Sequence, residues 1–247
     1  MFKKFLAGIL MLTLVLGLTA CNDEPEENST PTDQETGDTT SEMDPDEPVA
    51  LVNGEEILAK EWQMMSDSIA SQQFTQMQQM GINPQSEKGK QYVKEIETRA
   101  DDMALEQLIQ QEAVLQEAQN NHYSVESETV QTKFAETKAK FDTVEAFENA
   151  LEQNDFTAET YRESIEKQLL TQQYLDDKME PVELTDEQVK VAYEEYKTKT
   201  EEQSQELKSF EELKDPLREK LIKDHKNAQI QTIVQTVMDT ANIERLI

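Results

Sequence analysis

One cysteine, Cys21, stands in a chain of 247 residues, so neither a disulfide framework nor a multi-cysteine zinc site can form within it. Two histidines leave little room for a histidine-based metal centre. Six glycines could scarcely supply a phosphate loop and a dinucleotide fingerprint, and neither pattern occurs. His-Glu-x-x-His and Gly-x-Ser-x-Gly are absent as well, which excludes a zincin and the nucleophile elbow of an α/β-hydrolase. Basic residues are scarce: 23 Lys+Arg face 52 Asp+Glu, for a formal charge of -29. Affinity for nucleic acid rests on Lys and Arg neutralising phosphates, so this balance argues against a DNA or RNA partner. Aromatics make up only 6% and there are seven prolines, whereas Glu, Gln and Lys abound, which favours helix over sheet. The length suits one or two modest domains with a real core.

What is present in excess is carboxylate. Pairs such as Asp101/Asp102, Asp176/Asp177 and Glu194/Glu195 are expected by chance at this acid content and read as solvated helical faces. No Asp-x-Asp-x-Asp-Gly calcium loop occurs. The chain is therefore expected to carry no catalytic residue, no metal and no cofactor.

Lys3 and Lys4 precede an apolar run of 14 residues, Phe5 to Leu18. That run is short for a bilayer span and right for the apolar core of a signal peptide. It ends in Leu18-Thr19-Ala20-Cys21. This tetrapeptide resembles the lipobox of bacterial lipoproteins, which implies cleavage before Cys21 and acylation of that residue by chains such as palmitate. Two buried acyl chains make membrane anchoring stable, at about 0.8 kcal/mol per CH₂. Residues 1–20 are expected to take no part in the fold. The alternative is an ordinary secretory signal with an incidental cysteine.

Residues 22–48 hold eleven acids and no Lys or Arg, and Met43 is their only large apolar residue. Such a segment cannot bury enough surface to offset its ordering entropy, so residues 21–48 are expected to form a disordered acidic linker. It would span roughly 90 Å fully extended and roughly 30 Å as a coil.

Residues 49–247 read as the folded part. Asn53-Gly54 between Val49-Ala50-Leu51-Val52 and Glu55-Glu56-Ile57 predicts a hairpin. Helices are expected over about Ala59–Met80, closed by Gly81, and over about Glu87–Gln119, with Tyr92, Ile96, Met103, Leu108, Val114, Leu115 and Ala118 as a drifting apolar stripe. At roughly 45–50 Å the second helix is too long for one small globule to cover, which predicts an elongated, open shape. Val125–Phe141 should form a third helix. Thr143 and Thr157 read as N-caps of the next two, and Thr185-Asp186-Glu187-Gln188 as a capping box. Ser209-Phe210-Glu211-Glu212 opens a last helix through Pro216 to about Thr240. Its apolar positions are Leu217, Leu221, Ile222, Ile230, Ile233, Val234 and Val237, and a short strand can follow.

Four segments, in this order and spacing, resemble the SurA and PrsA-type chaperones. Val49 to Ile57 is similar to their first strand. Asp155-Phe156-Thr157 with Tyr161-Arg162 and Gln168-Leu169-Leu170 is similar to their helical hairpin. Leu184 to Val189 with Tyr193-Glu194 resembles the stretch leading into their parvulin prolyl-isomerase domain. Ser209 to Glu212 with Pro216-Leu217-Arg218 resembles the helix that follows it. The resemblance implies a mainly α, SurA/PrsA N-terminal-type fold whose terminal strands pair into a small sheet. Only twelve residues separate Tyr196 from Ser209, where those foldases insert roughly ninety or more, a small domain. The parvulin domain is therefore expected to be missing. His122 and His225 read as ordinary surface or helix-end residues.

The resemblance further implies a lipid-anchored chaperone on the extracytoplasmic face of the cell membrane, holding unfolded or newly exported polypeptides without ATP. Trp62, Met64, Phe74 and Met103 are the candidates for an apolar client cleft, since methionine adapts its shape and is over-used on promiscuous surfaces. The same residues also suit an ordinary core. With 21 Lys+Arg against 41 Asp+Glu, the folded part carries about -20, which suits solubility and could favour cationic clients. A structural or adaptor lipoprotein docking one partner is the competing expectation, with a prolyl isomerase of divergent site behind it.

Overall fold

The computed structural model describes residues 43–202 and 207–247. The leader over 1–20, the lipidation candidate Cys21 and the acidic segment up to residue 42 lie outside these residues. The order is β1 (Pro48–Val52), β2 (Glu55–Leu58), α1 (Ala59–Gln79), α2 (Glu87–Asn120), α3 (Ser127–Lys138), α4 (Val144–Glu152), α5 (Ala158–Lys178), α6 (Asp186–Glu202), α7 (Phe210–Met238) and β3 (Ile243–Arg245). The protein is mainly helical with one three-stranded sheet, ordered β2-β1-β3.

The last residues of the expected linker are folded. Glu47 N–H donates to the Asp44 carbonyl, and the carbonyls of Glu47 and Pro45 accept from Ala59 and Lys60. Asp44 to Glu47 are therefore structured ahead of the strand at Pro48, because the backbone of 44–47 closes the first turn of α1.

β1 and β2 pair antiparallel, Val52 opposite Glu55. Asn53 and Gly54 both hold positive φ, 53° and 91°, the backbone a two-residue primed turn demands. The last strand joins the first in this sheet, where Leu246 N–H donates to the Val49 carbonyl.

Helix ends follow local chemistry. After α1, Gly81 takes φ 73°; its N–H donates to Gln78, and Ile82 N–H donates to Met77. Those two bonds define a Schellman motif. Ser86 Oγ accepts from Gly89 N–H at 3.0 Å to open α2. Thr143 caps α4, and Thr157 and Thr160 exchange bonds at the start of α5. Thr185 and Gln188 form the expected box ahead of α6.

The chain divides into two compact units. One runs up to Glu106 and takes in Glu244–Ile247; the other is Gln107–Ile243. The first has a core of Ile69, Ala70, Met77, Ile96, Ala100 and Ala104, with Trp62, Met65, Phe74, Ile82 and Val93 packed against it. Of the apolar stripe expected on α2, Ile96, Val114, Leu115 and Ala118 are buried, whereas Tyr92 and Met103 are exposed. In the first unit α2 contributes Ile96, Ala100 and Ala104, at i, i+4, i+8, to the core. The second unit is centred on aromatic rings. Phe134 and Phe147 meet edge-on at 5.4 Å, Tyr161 joins both, and the Arg162 guanidinium lies 3.8 Å over Phe134.

α7 continues through Pro216 as expected, and of its apolar residues only Val237 is buried. Leu217, Leu221, Ile222, Ile230, Ile233 and Val234 are half-buried. Leu213, Leu217 and Leu221 share one face, whereas Ile230, Ile233, Val234 and Val237 share another, so no single packing partner can bury both.

Candidate functional site

Each unit presents apolar side chains that its own core does not absorb. In the first unit, α1 and α2 are locked by a polar clasp. Trp62 Nε1–H donates to the Asp101 carbonyl at 3.0 Å, and the buried Ser66 hydroxyl donates to the Asp101 carboxylate at 2.6 Å. Phe74 packs against the same core as Trp62. These two of the four expected cleft residues are thus brought to one cluster, half-buried. Met64 and Met103 are not part of that packing and stand 37% and 49% exposed. Met80, at the end of α1, is 66% exposed, and Tyr92 is exposed on α2.

In the second unit, α6 and α7 form a latched pair. Tyr193 stacks edge-on with Phe210 at 5.4 Å, and its hydroxyl donates to the Lys208 carbonyl. Asp186 accepts from Lys214 at 2.8 Å and from Arg218, whose guanidinium also donates to the Leu184 carbonyl. The Lys214 ammonium, and then Arg218, hold the Asp186 carboxyl below its ordinary range, and Asp186 raises Lys214 in return. Glu212 is lowered by the hydroxyl and backbone N–H of Ser209, the box that opens α7. Below the latch, Gln229 pairs with the backbone of Glu180 in both directions. The half-buried apolar stripe of α7 follows. The signal for it was present: the apolar positions of α7 change face near Ile222.

Tyr123 closes the list of perturbed groups with Tyr174. The Tyr123 hydroxyl donates to the Asp177 carboxylate, which, with burial, raises its pKa to about 12. Burial raises Tyr174, helped by Glu117. Neither histidine joins a cluster, and among the described residues no group of three or more His, Cys, Asp or Glu is placed to hold a metal. Among the same residues no helix is long and apolar enough to cross a membrane.

The family model for the SurA-like N-terminal domain matches residues 2–175. The chain belongs to the SurA-like N-terminal domain family. For a member of this chaperone-like family, the architecture is the expected one: mainly helical among the described residues, with a small sheet that brings the first and last strands together. The match takes in β1, β2, α1 to α4 and nearly all of α5. The resemblances at Leu184–Glu194 and Ser209–Arg218 lie beyond it, in the latched pair. There α6 ends at Glu202 and α7 begins at Phe210, so only residues 203–209 join them. No curated protein and no solved structure matches the chain.

Proposed function

We propose that this SurA-like protein is an ATP-independent holdase, anchored through acylated Cys21 on the extracytoplasmic face of the cell membrane. It binds unfolded, newly exported polypeptides and performs no chemistry on them. The observation that supports this most directly is the presence, in a SurA-like domain, of large apolar side chains left at the surface: Met64 on α1, Met80 just after it, and Tyr92 and Met103 on α2. Many adaptable apolar contacts without fixed polar partners give weak, reversible and unselective binding. The acidic exterior keeps a loaded complex soluble. The short α6–α7 connection leaves no space between those helices for an isomerase domain, which supports a non-catalytic role.

The competing reading is an adaptor lipoprotein that docks one defined partner. Titration of the full chain against several unrelated proteins, each in unfolded and native form, separates the two. A holdase binds the unfolded forms with similar weak affinities and ignores the native ones. One saturable complex of fixed stoichiometry with a single folded protein would replace it with the adaptor.

A further inference from the structure

The methionines of the first unit fall into sharply different environments. Met77 is 2% exposed, held in the core by Ile82 and the Schellman turn at Gly81. Met80, three residues further on, is 66% exposed, Met103 49% and Met64 37%. Met65 is half-buried against the core. None of the three exposed side chains belongs to the packed cluster, so a change of polarity there leaves the core contacts intact.

We infer that Met64, Met80 and Met103 are separate oxidation-sensitive contact points, and that their oxidation switches polypeptide binding off under peroxide stress without unfolding the protein. The inference rests on the holdase reading for its functional consequence. In the chemical step a thioether sulfur attacks one oxygen of a hydroperoxide. An S–O bond forms and the O–O bond breaks. The sulfur loses two electrons, the proton on the transferred oxygen passes to the leaving oxygen, and the remainder of the peroxide departs as water or an alcohol. Susceptibility follows exposure, so Met80, Met103 and Met64 react first and Met77 last. The product is a polar sulfoxide in place of a flexible apolar side chain, which removes the adaptable contacts an unfolded chain would use. Because methionine sulfoxide is reducible, the switch is reversible.

The test treats the full chain with graded hydrogen peroxide and maps sulfoxide residue by residue by peptide mass spectrometry. Helicity is followed by circular dichroism, and suppression of aggregation of an unfolded protein is measured at each step. Expected are sulfoxide at all three positions with Met77 intact, unchanged helicity, loss of suppression, and its recovery after methionine sulfoxide reductases of both stereospecificities. Undiminished suppression with all three positions oxidised would overturn the switch. So would oxidation of Met77 in step with the others, or loss of helicity before loss of suppression. M64L/M80L/M103L is the second variant, volume-conserving and exposed, so its folding is preserved; peroxide sensitivity equal to that of the unmodified chain overturns the assignment to these residues, and resistance supports it. Absence of any suppression before peroxide is added would instead remove the holdase reading, and the switch with it.

Discussion

At the scale of single residues, two helices end on the wrong amino acid for their backbone. His122 and Asp155 hold φ of 61° and 55°, the conformation that Gly81 supplies after α1. Both are stitched as Schellman turns. His122 and Tyr123 donate to Gln119 and Ala118, and Asp155 and Phe156 donate to Glu152 and Leu151. A side chain in this region costs about 1–2 kcal/mol, of which glycine's greater unfolded-state freedom would take back part. His122→Gly is therefore expected to stabilise the protein by about 0.5–1 kcal/mol in urea unfolding. The end of the long helix was placed at about Gln119, one residue short of Asn120, but the left-handed turns themselves were not legible, because the glycine that marks one is missing. The trace that remains is the aromatic residue just after it, Tyr123 or Phe156. Tyr123 makes a second prediction. Its neutral form is held by Asp177, so the bond's contribution is complete below the ordinary tyrosine pKa of 10.0 and is lost as pH rises toward about 12. Spectrophotometric titration should find one phenol ionising near 12, returned toward 10 by Asp177→Asn.

At the scale of elements, most boundaries were readable because their causes are local. Asn53-Gly54, Gly81, Thr143, Thr157 and the Thr185–Gln188 box each act within four residues, and each does in the structure what its chemistry dictates. Faces were legible in part. On α2 the expected stripe is buried at Ile96, Val114, Leu115 and Ala118, while Tyr92 stands exposed and the small Ala100 and Ala104, which carry little apolar signal, are buried. On α7 the apolar residues suit two partners on two sides, and burial depends on what stands opposite, which periodicity does not contain. Gly89 shows how close one approach is. A Cβ there would lie 1.9 Å from the Asn83 carbonyl oxygen, which is itself bonded to the Ser86 hydroxyl. Gly89→Ala must push the Asn83–Pro84 turn away, and a loss of about 1–3 kcal/mol is expected in thermal or urea unfolding. Unchanged stability would mean that this turn does not hold the start of α2.

At the scale of the molecule, the candidate surface was half legible. Trp62 and Phe74 were found by their aromatic character and proved to share a core with a polar clasp at Asp101. Met64 and Met103 were found by the methionine content of α1 and α2 and stand exposed. The exposure of Met80 emerged only from the packing. Such apolar exposure on a strongly acidic SurA-like protein is what the account turns into function, and it can be measured without knowing a natural client. Aggregation of two unrelated unfolded proteins is followed by light scattering with the full chain present. The account predicts that near-stoichiometric amounts suppress both, with no nucleotide added. Suppression of neither, by a chain shown to be folded and helical, would contradict it.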